Sequence, residues 1–268
     1  MEPVAFAALA QEIQPFAANL CLSLLGESLL NPGVFQIIAS AEGLGIPCAL
    51  TTNGQLLDEC IDDVFASGLT SLKVAIDGAD RESHERYRIG SDFHRVRGAL
   101  ESVCAEKRRL GLDRPLITVL SLIFRHNLGQ QAEIRRWSES VGADRVGFKP
   151  VWIGGGRYFG ADAADLAAEW LPDDPALQHE SFLQENLCRS WRVCPALHMA
   201  TILWNGDMVP CGRCAVDDRE AFGNVFTDGG FLAVWGSARH REVLTRLLRR
   251  ESDLCDGCDT PLGGKWLG

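Results

Sequence analysis

The sequence predicts an α/β protein: parallel strands curving into part of a (β/α) barrel, followed by a small cysteine-rich module that carries a β-hairpin. Three observations predict it. From Ala18 to Pro150, short apolar runs alternate with amphipathic stretches, the pattern of βαβ units. The runs end near residues 25, 52, 76, 124 and 149, a spacing of about 25 residues broken by one longer helical segment. From Cys188 onward lies a small module that holds six of the ten cysteines.

Glu2–Ile13 reads as a helix, so the repeat begins in the middle of a unit. Strands are expected at Asn19–Leu25 ("NLCLSLL"), Pro47–Thr52, Ser71–Ile76, Leu116–Phe124 and Arg145–Lys149. Helices are expected near Val34–Glu42, Leu56–Ala66, Asp80–Leu110 and Gly129–Val141. After Pro150, "VWIGGGRYFG" is glycine-rich and "LPDDPALQHESF" is polar with two prolines, the composition of a linker. No helix follows "GGGRYFG" closely, so it is not a nucleotide-binding loop. From Cys188 a hairpin is expected in "MATILWNGDMVPC", turning at Asn205-Gly206, then a helix near Gly230–Arg250 and the closing "CDGC". The boundaries this implies are 1–152 for the barrel part, 153–187 for the linker and 188–268 for the module.

Composition narrows the function. Hydrophobic content of 46% and charged content of 23% belong to an ordinary globule. No run of 18 apolar residues and no basic-then-apolar leader occurs, so the expectation is a cytoplasmic protein with no membrane partner. A net charge of −10 argues against nucleic acid as a ligand, although local arginines could still hold small anions. In a reducing compartment, clustered cysteines serve more often as metal ligands than as disulfides.

In a βα sheet, ligand-handling residues gather just past the C-terminal strand ends. Those positions read Gly26-Glu27, Asn53-Gly54, Asp77-Gly78, Arg125-His126-Asn127 and Pro150. The competing explanation is that Asn-Gly and Asp-Gly are good turns and helix caps. Glu27 stands apart, because a carboxylate beside an apolar strand needs a donor or cation partner.

The C-terminal cysteines admit two metal sites and, less favoured, a disulfide framework. Cys211-x2-Cys214 and Cys255-x2-Cys258 form two zinc knuckles separated by 40 residues. Alternatively, Cys194 and Cys211 flank the hairpin and join Cys255 and Cys258 around an iron–sulfur cluster. Cys21, Cys48, Cys60 and Cys104 lie in apolar settings and read as core thiols.

These segments resemble one family. "LSLLGESLLNPGVFQIIASAEGLGIPCALTTNG" is similar to the second and third βα units of radical S-adenosylmethionine (SAM) enzymes, with a GGEP-like turn and a later strand ending in "TNG". "LKVAIDGADRESHERYR" resembles the strand that follows, usually S-[IL]-D-G and then an arginine. Cys194-x11-Gly206-x4-Cys211 resembles the opening of the family's SPASM/twitch appendage, and "CDGC" its closing cysteines. The resemblance covers about residues 1–260. It implies a partial TIM-like (β/α) barrel whose first strand is missing, with a SPASM/twitch-like iron–sulfur module behind it. It implies that Glu27 binds the SAM amino group, that Arg88 lies near the SAM carboxylate, and that Asn53 and Asp77 contribute to the cofactor pocket. Cys194, Cys211, Cys255 and Cys258 then match the ligands of an auxiliary [4Fe–4S] cluster.

Three departures qualify the match. Ala75 stands for the family's serine and Ser28 for its proline, and the C-x3-C-x2-C loop of the SAM-cleaving cluster occurs nowhere in these 268 residues. The expectation is an incomplete chain of a longer enzyme, unable as it stands to cleave SAM, with a degenerate member as the alternative. The complete enzyme would abstract hydrogen from a peptide or small-molecule substrate and draw on a reductant protein. The alternative function is a zinc- or other metal-binding module on a degenerate barrel that binds a peptide or protein partner.

Overall fold

A computed structural model describes residues 1–151, 163–178, 199–212, 220–249 and 251. They fall into two compact units: Glu2–Val151 with Glu169–Asp173, and the remainder of the chain. Among the described residues no helix is long and apolar enough to cross a membrane.

The first unit opens with α1 (Pro3–Ile13) and then alternates β1 (Leu20–Leu22), α2 (Val34–Gly43), β2 (Cys48–Thr52), α3 (Ile61–Ala66), β3 (Ser71–Ala75), α4 (Arg81–Tyr87), α5 (Phe93–Leu110), β4 (Leu116–Ile123), α6 (Gln131–Val141) and β5 (Arg145–Pro150). The sheet order is β1-β2-β3-β4-β5, every pair parallel. Because each crossover moves one strand in the same direction, right-handed connections put every helix on one face. That is the construction of a partial (β/α) barrel, not of a sheet wound in both directions.

The strand sequences carry this asymmetry. In β4 the buried residues are Ile117, Val119, Ser121 and Ile123, and the half-exposed ones are Leu116, Thr118, Leu120 and Leu122. Leu50, Leu72 and Val74 are fully buried on the helix-covered face, where Ile38, Val64, Val96 and Leu100 of the helices are also buried. Lys107 of α5 closes the lower edge: its ammonium pairs with Asp144 at 2.7 Å, and Asp144 also accepts the Ile117 amide at 2.6 Å.

Four details depart from or add to the expected elements. The first strand ends at Leu22, not Leu25, because the Ser28 hydroxyl donates to the Leu22 carbonyl at 2.8 Å and draws the chain back. The segment expected as one helix over Asp80–Leu110 is two helices, since the Asp92 carboxylate caps the His94 and Arg95 amides and starts α5 afresh. Leu56–Ala66 is a 3-10 turn, Leu57–Glu59, followed by the short α3. The stretch expected as a linker contains α7 (Ala163–Trp170) and a 3-10 turn, Pro175–Leu177.

In the second unit the expected hairpin forms. β6 (Thr201–Ile202) pairs antiparallel with β7 (Asp207–Val209), and β7 pairs with a strand that pattern did not reveal, β8 (Gly223–Asn224). Gly206 turns the hairpin with φ +94°, and a Cβ there would lie 2.3 Å from the Phe226 ring, so both backbone and space require glycine. The helix expected over Gly230–Arg250 is likewise two: α8 (Phe231–Trp235) and α9 (Ala238–Leu248), the second capped by the Ser237 hydroxyl on the His240 amide at 2.9 Å.

Candidate functional site

The C-terminal ends of β1, β2 and β3 build one rim, and Glu27 spans two of them. Its Oε1 accepts the Leu29 amide at 3.1 Å, capping the turn Ser28–Leu30, while Oε2 accepts the Asn53 amide at 2.7 Å. Glu27 remains half-buried, and each carboxylate oxygen keeps a second lone pair. Asn53 uses its Oδ1 to accept the Gln55 amide at 2.9 Å, which shapes the turn after β2. Gly54 completes that turn with φ +82°, and a Cβ there would stand 2.8 Å from Val96 Cγ1.

At the end of β3, Asp77 is buried and bonded at both oxygens. Oδ1 accepts the Leu122 amide at 2.6 Å and Oδ2 accepts Arg88 Nε at 2.6 Å. Arg88 keeps its side chain 26% exposed, and among the described residues its terminal N–H groups have no hydrogen-bond partner. Beneath lies His84, wholly buried, whose Nδ1 accepts the Asp77 amide at 3.1 Å. Burial pushes the His84 pKa down, Asp77 opposes that shift and Arg88 adds to it, so the ring is neutral. Gly78 admits this arrangement, since a Cβ would lie 2.5 Å from the His84 amide nitrogen.

Asn127, a candidate by its place after β4, has its side chain turned inward. Only 1% of it is exposed; Nδ2 donates to the Asp77 and Leu122 carbonyls, each at 2.8 Å, and Oδ1 accepts the Phe124 amide at 2.8 Å. It clasps two strand ends and has no free group to offer a ligand. Next to it, Phe124 stacks on His126, and Trp170 lies edge-on to both rings at 5.5 and 5.6 Å. Arg125 pairs with Asp173 at 2.8 Å, so the return of Glu169–Asp173 to this unit rests on both apolar and ionic contacts.

Of the cysteines expected as cluster ligands, Cys211 is described; it follows β7 and is half-buried. Cys194, Cys255 and Cys258 lie outside the described residues, as does Cys214 of the zinc alternative. Among the described residues no group of three or more potential metal ligands gathers. Burial raises the thiol pKa of Cys48 to about 12 and of Cys60 and Cys104 to about 11, which keeps them protonated and inert. Cys21 departs from the expectation of a core thiol: it is exposed on β1, the strand at the sheet's edge.

The structure therefore brings Glu27 and Asn53 into direct contact, and likewise Asp77 and Arg88, on neighbouring strand ends. His84 escaped the sequence reading because a histidine in a polar helical stretch carries no pattern of its own. Lys73 and Lys149 escaped it too, although a lysine inside the apolar run "SLKVAI" was a visible signal.

Comparison with known proteins identifies the architecture. The chain superposes on crystal structures of Streptococcus suis SuiB, one bound to S-adenosylmethionine (TM-score 0.63, 13% identity, 89% of this chain and 59% of that one) and one bound to the precursor peptide SuiA (TM-score 0.64, 14% identity, 89% and 58%). In sequence it is 26% identical over 256 residues to mycofactocin maturase MftC of Mycobacterium ulcerans, covering 87% of this chain and 65% of that protein. It is 37% identical over 78 residues to an AdoMet-dependent heme synthase of Methanosarcina barkeri, covering 28% and 22%. The chain thus spans less than two thirds of the length of these relatives. These likenesses in sequence and fold support the resemblance to radical SAM proteins. Residues 194–259 match SPASM, an iron-sulfur cluster-binding domain, which supports the SPASM part of that resemblance and favours iron–sulfur over zinc for the C-terminal cysteines.

Proposed function

We propose that this chain is the SAM-holding rim and cluster-bearing portion of a peptide-modifying radical SAM/SPASM enzyme. The observation that carries the reading is the presence of opposite functions on one rim, Glu27 after β1 and Arg88 held at the end of β3, with β2 between them. Glu27 offers carboxylate lone pairs beside Asn53, and Arg88 offers terminal N–H groups beside Asp77. A free amino acid head group needs that set, an acceptor for its ammonium and a donor for its carboxylate. SAM carries such a head group, so the residues present fit it. When bound, SAM supplies the means to remove a hydrogen atom from substrate.

In this reading each residue has a separate task. Glu27 takes the ammonium while its two backbone donors fix its orientation. Arg88 takes the carboxylate. Asp77 is a positioning residue, holding the guanidinium through Nε so that the terminal nitrogens face outward, and neutral His84 holds the Asp77 backbone. Asn53 forms the adjoining wall. Cys194, Cys211, Cys255 and Cys258 would hold one [4Fe–4S] cluster. A reductant protein would serve the complete enzyme, whose SAM-cleaving cluster needs a C-x3-C-x2-C loop, a spacing absent from these residues. A peptide substrate is supported by the relatives, one named a maturase and one seen with a precursor peptide.

The test is equilibrium dialysis of labelled SAM against the full chain. Saturable binding that weakens at least tenfold in both Glu27→Gln and Arg88→Met supports the reading. Binding that ignores both substitutions overturns it.

A further inference from the structure

The five strands of the first unit contain no aspartate or glutamate at all. They contain three cations: Lys73 in β3, and Arg145 and Lys149 in β5. Register puts all three on the same face. Lys73 is level with Thr118, and Thr118 with Arg145; Leu122 is level with Lys149. Thr118 and Leu122 belong to the half-exposed set of β4, the face that the helices leave open. In a chain with 36 acidic residues against 26 basic ones, an open sheet face bearing only positive charge is a local inversion.

The choice of lysine sharpens the point. Of the 26 cationic residues only four are lysines, at 73, 107, 149 and 265, and the other 22 are arginines. Lys107 has its partner in Asp144. Lys73 and Lys149 have no ion-pair or hydrogen-bond partner among the described residues, although each is a long side chain on a strand. Lys149 is solvent-accessible, yet its pKa is held below the usual lysine range, first by burial and then by the charge of Lys73. Access to solvent together with desolvation is what a concave surface produces, and the second cause shows that each lysine lies within electrostatic reach of the other. An anion between them would relieve both costs.

The surroundings indicate which anion. Along the open face between the two lysines lie Ala75, Leu120 and Gly147, which share a level, with Thr51 and Thr118 flanking Lys73. Small and apolar groups with two hydroxyls suit a side chain that ends in a carboxylate. Depth separates Lys73, though not Lys149, from the rim. Lys73 is four residues before Asp77, about 13 Å further down the strand at 3.3 Å per residue.

We propose that Lys73 and Lys149 bind a carboxylate of the substrate, so that the enzyme acts on an acidic peptide segment or on a peptide's terminal carboxylate. The proposal deepens the reading above and rests on it for the word substrate; the binding itself does not. A carboxylate held from below by Lys73 and from the rim by Lys149 would anchor the peptide in the open face, beneath the rim that Glu27 and Arg88 occupy.

The small number of lysines makes the test direct. The full chain is reductively methylated with 13C-formaldehyde, and its few dimethyl-lysine signals are followed by NMR. The probes are acetyl-hexaglutamate-amide, acetyl-hexaserine with a free C-terminus, acetyl-hexaserine-amide and inorganic phosphate. Saturable shifts of the Lys73 and Lys149 signals with hexaglutamate, while Lys107 stays still, support the proposal. The same shifts with free-C-terminus hexaserine alone identify a terminal carboxylate as the ligand. No shift with either carboxylate probe, equal shifts with blocked hexaserine, or shifts with phosphate alone overturn it. Lys149→Met, at a solvent-accessible position, should weaken the binding at least tenfold, and Lys73→Met should do the same; unchanged affinity in either overturns the assignment of that lysine. SAM binding measured on the same sample separates the two readings, since either ligand could bind without the other.

Discussion

Glu27 and Asn53, 26 positions apart in the chain, are joined by a 2.7 Å hydrogen bond from the Asn53 amide to the Glu27 carboxylate. The bond ties the loop after β1 to the end of β2, so one side chain both shapes the rim and remains available to a ligand. Glu27→Gln presents an amide NH2 to one of two backbone donors. The expected outcome is a stability loss of about 1–3 kcal/mol, the usual cost of spoiling a hydrogen bond to a charged group, together with weaker SAM binding. Urea denaturation and dialysis on the same protein check the pair; a stability loss with SAM affinity unchanged would reduce Glu27 to a clasp.

The ion pair at the end of β3 should be much more costly to break. Asp77 has 1% of its side chain exposed, and Arg88→Met leaves that carboxylate buried beside an apolar group. A loss of about 3–5 kcal/mol is expected, the range for removing one partner of a buried pair. Adding Asp77→Asn should recover part of it, and a double-mutant cycle reads the coupling directly.

Acid should weaken the fold through His84. Burial holds its pKa below the model-peptide value of 6.5. The unfolded chain therefore binds the proton more readily, and stability rises with pH up to about 6.5 and is lost as pH falls through the lower folded value. His84→Asn retains an acceptor near Nδ1 but cannot titrate. Its unfolding midpoint should fall less steeply between pH 7 and pH 5 than that of the parent, and equal slopes would clear His84 of the effect.

Glycine positions give opposite signs. Gly78→Ala and Gly54→Ala force a methyl group against the His84 amide and Val96, and should destabilise by about 1–3 kcal/mol. Gly98, inside α5, has nothing within 4 Å of its missing Cβ, so Gly98→Ala should stabilise by about 0.5–1 kcal/mol. Thermal melts of the three variants check all of this at once.

The cysteines make the last prediction. After anaerobic reconstitution with iron and sulfide, absorbance near 400 nm and bound iron should collapse in Cys194→Ala, Cys211→Ala, Cys255→Ala and Cys258→Ala, and persist in Cys214→Ala. Loss in Cys214→Ala with retention in Cys194→Ala would instead support the knuckle pairing.

Much of this was legible in the chain itself. Short apolar runs separated by amphipathic stretches located all five strands of the first unit, because strands of a parallel sheet covered by helices read as near-continuous apolar runs bounded by turn residues. The Asn205-Gly206 pair located the hairpin for a similarly local reason. Helix interruptions were harder. Asp92 and Ser237 are cap residues inside amphipathic stretches, and a cap acts through one hydrogen bond that leaves the hydrophobic period almost unchanged.

The sequence by itself determined the recurrence of βα units and which residues stand at their strand ends: Glu27, Asn53, Asp77 and Asn127. Only the tertiary structure decided what those side chains face. Asn127 turns inward to two carbonyls, Asp77 spends both oxygens on Leu122 and Arg88, and Glu27 keeps capacity for a ligand. The physical reason is that a polar side chain goes to whichever donor or acceptor the fold brings near it, and those partners come from residues 5 to 50 positions away. Periodicity records the burial of a face; it holds no information about which distant amide will meet a carboxylate there.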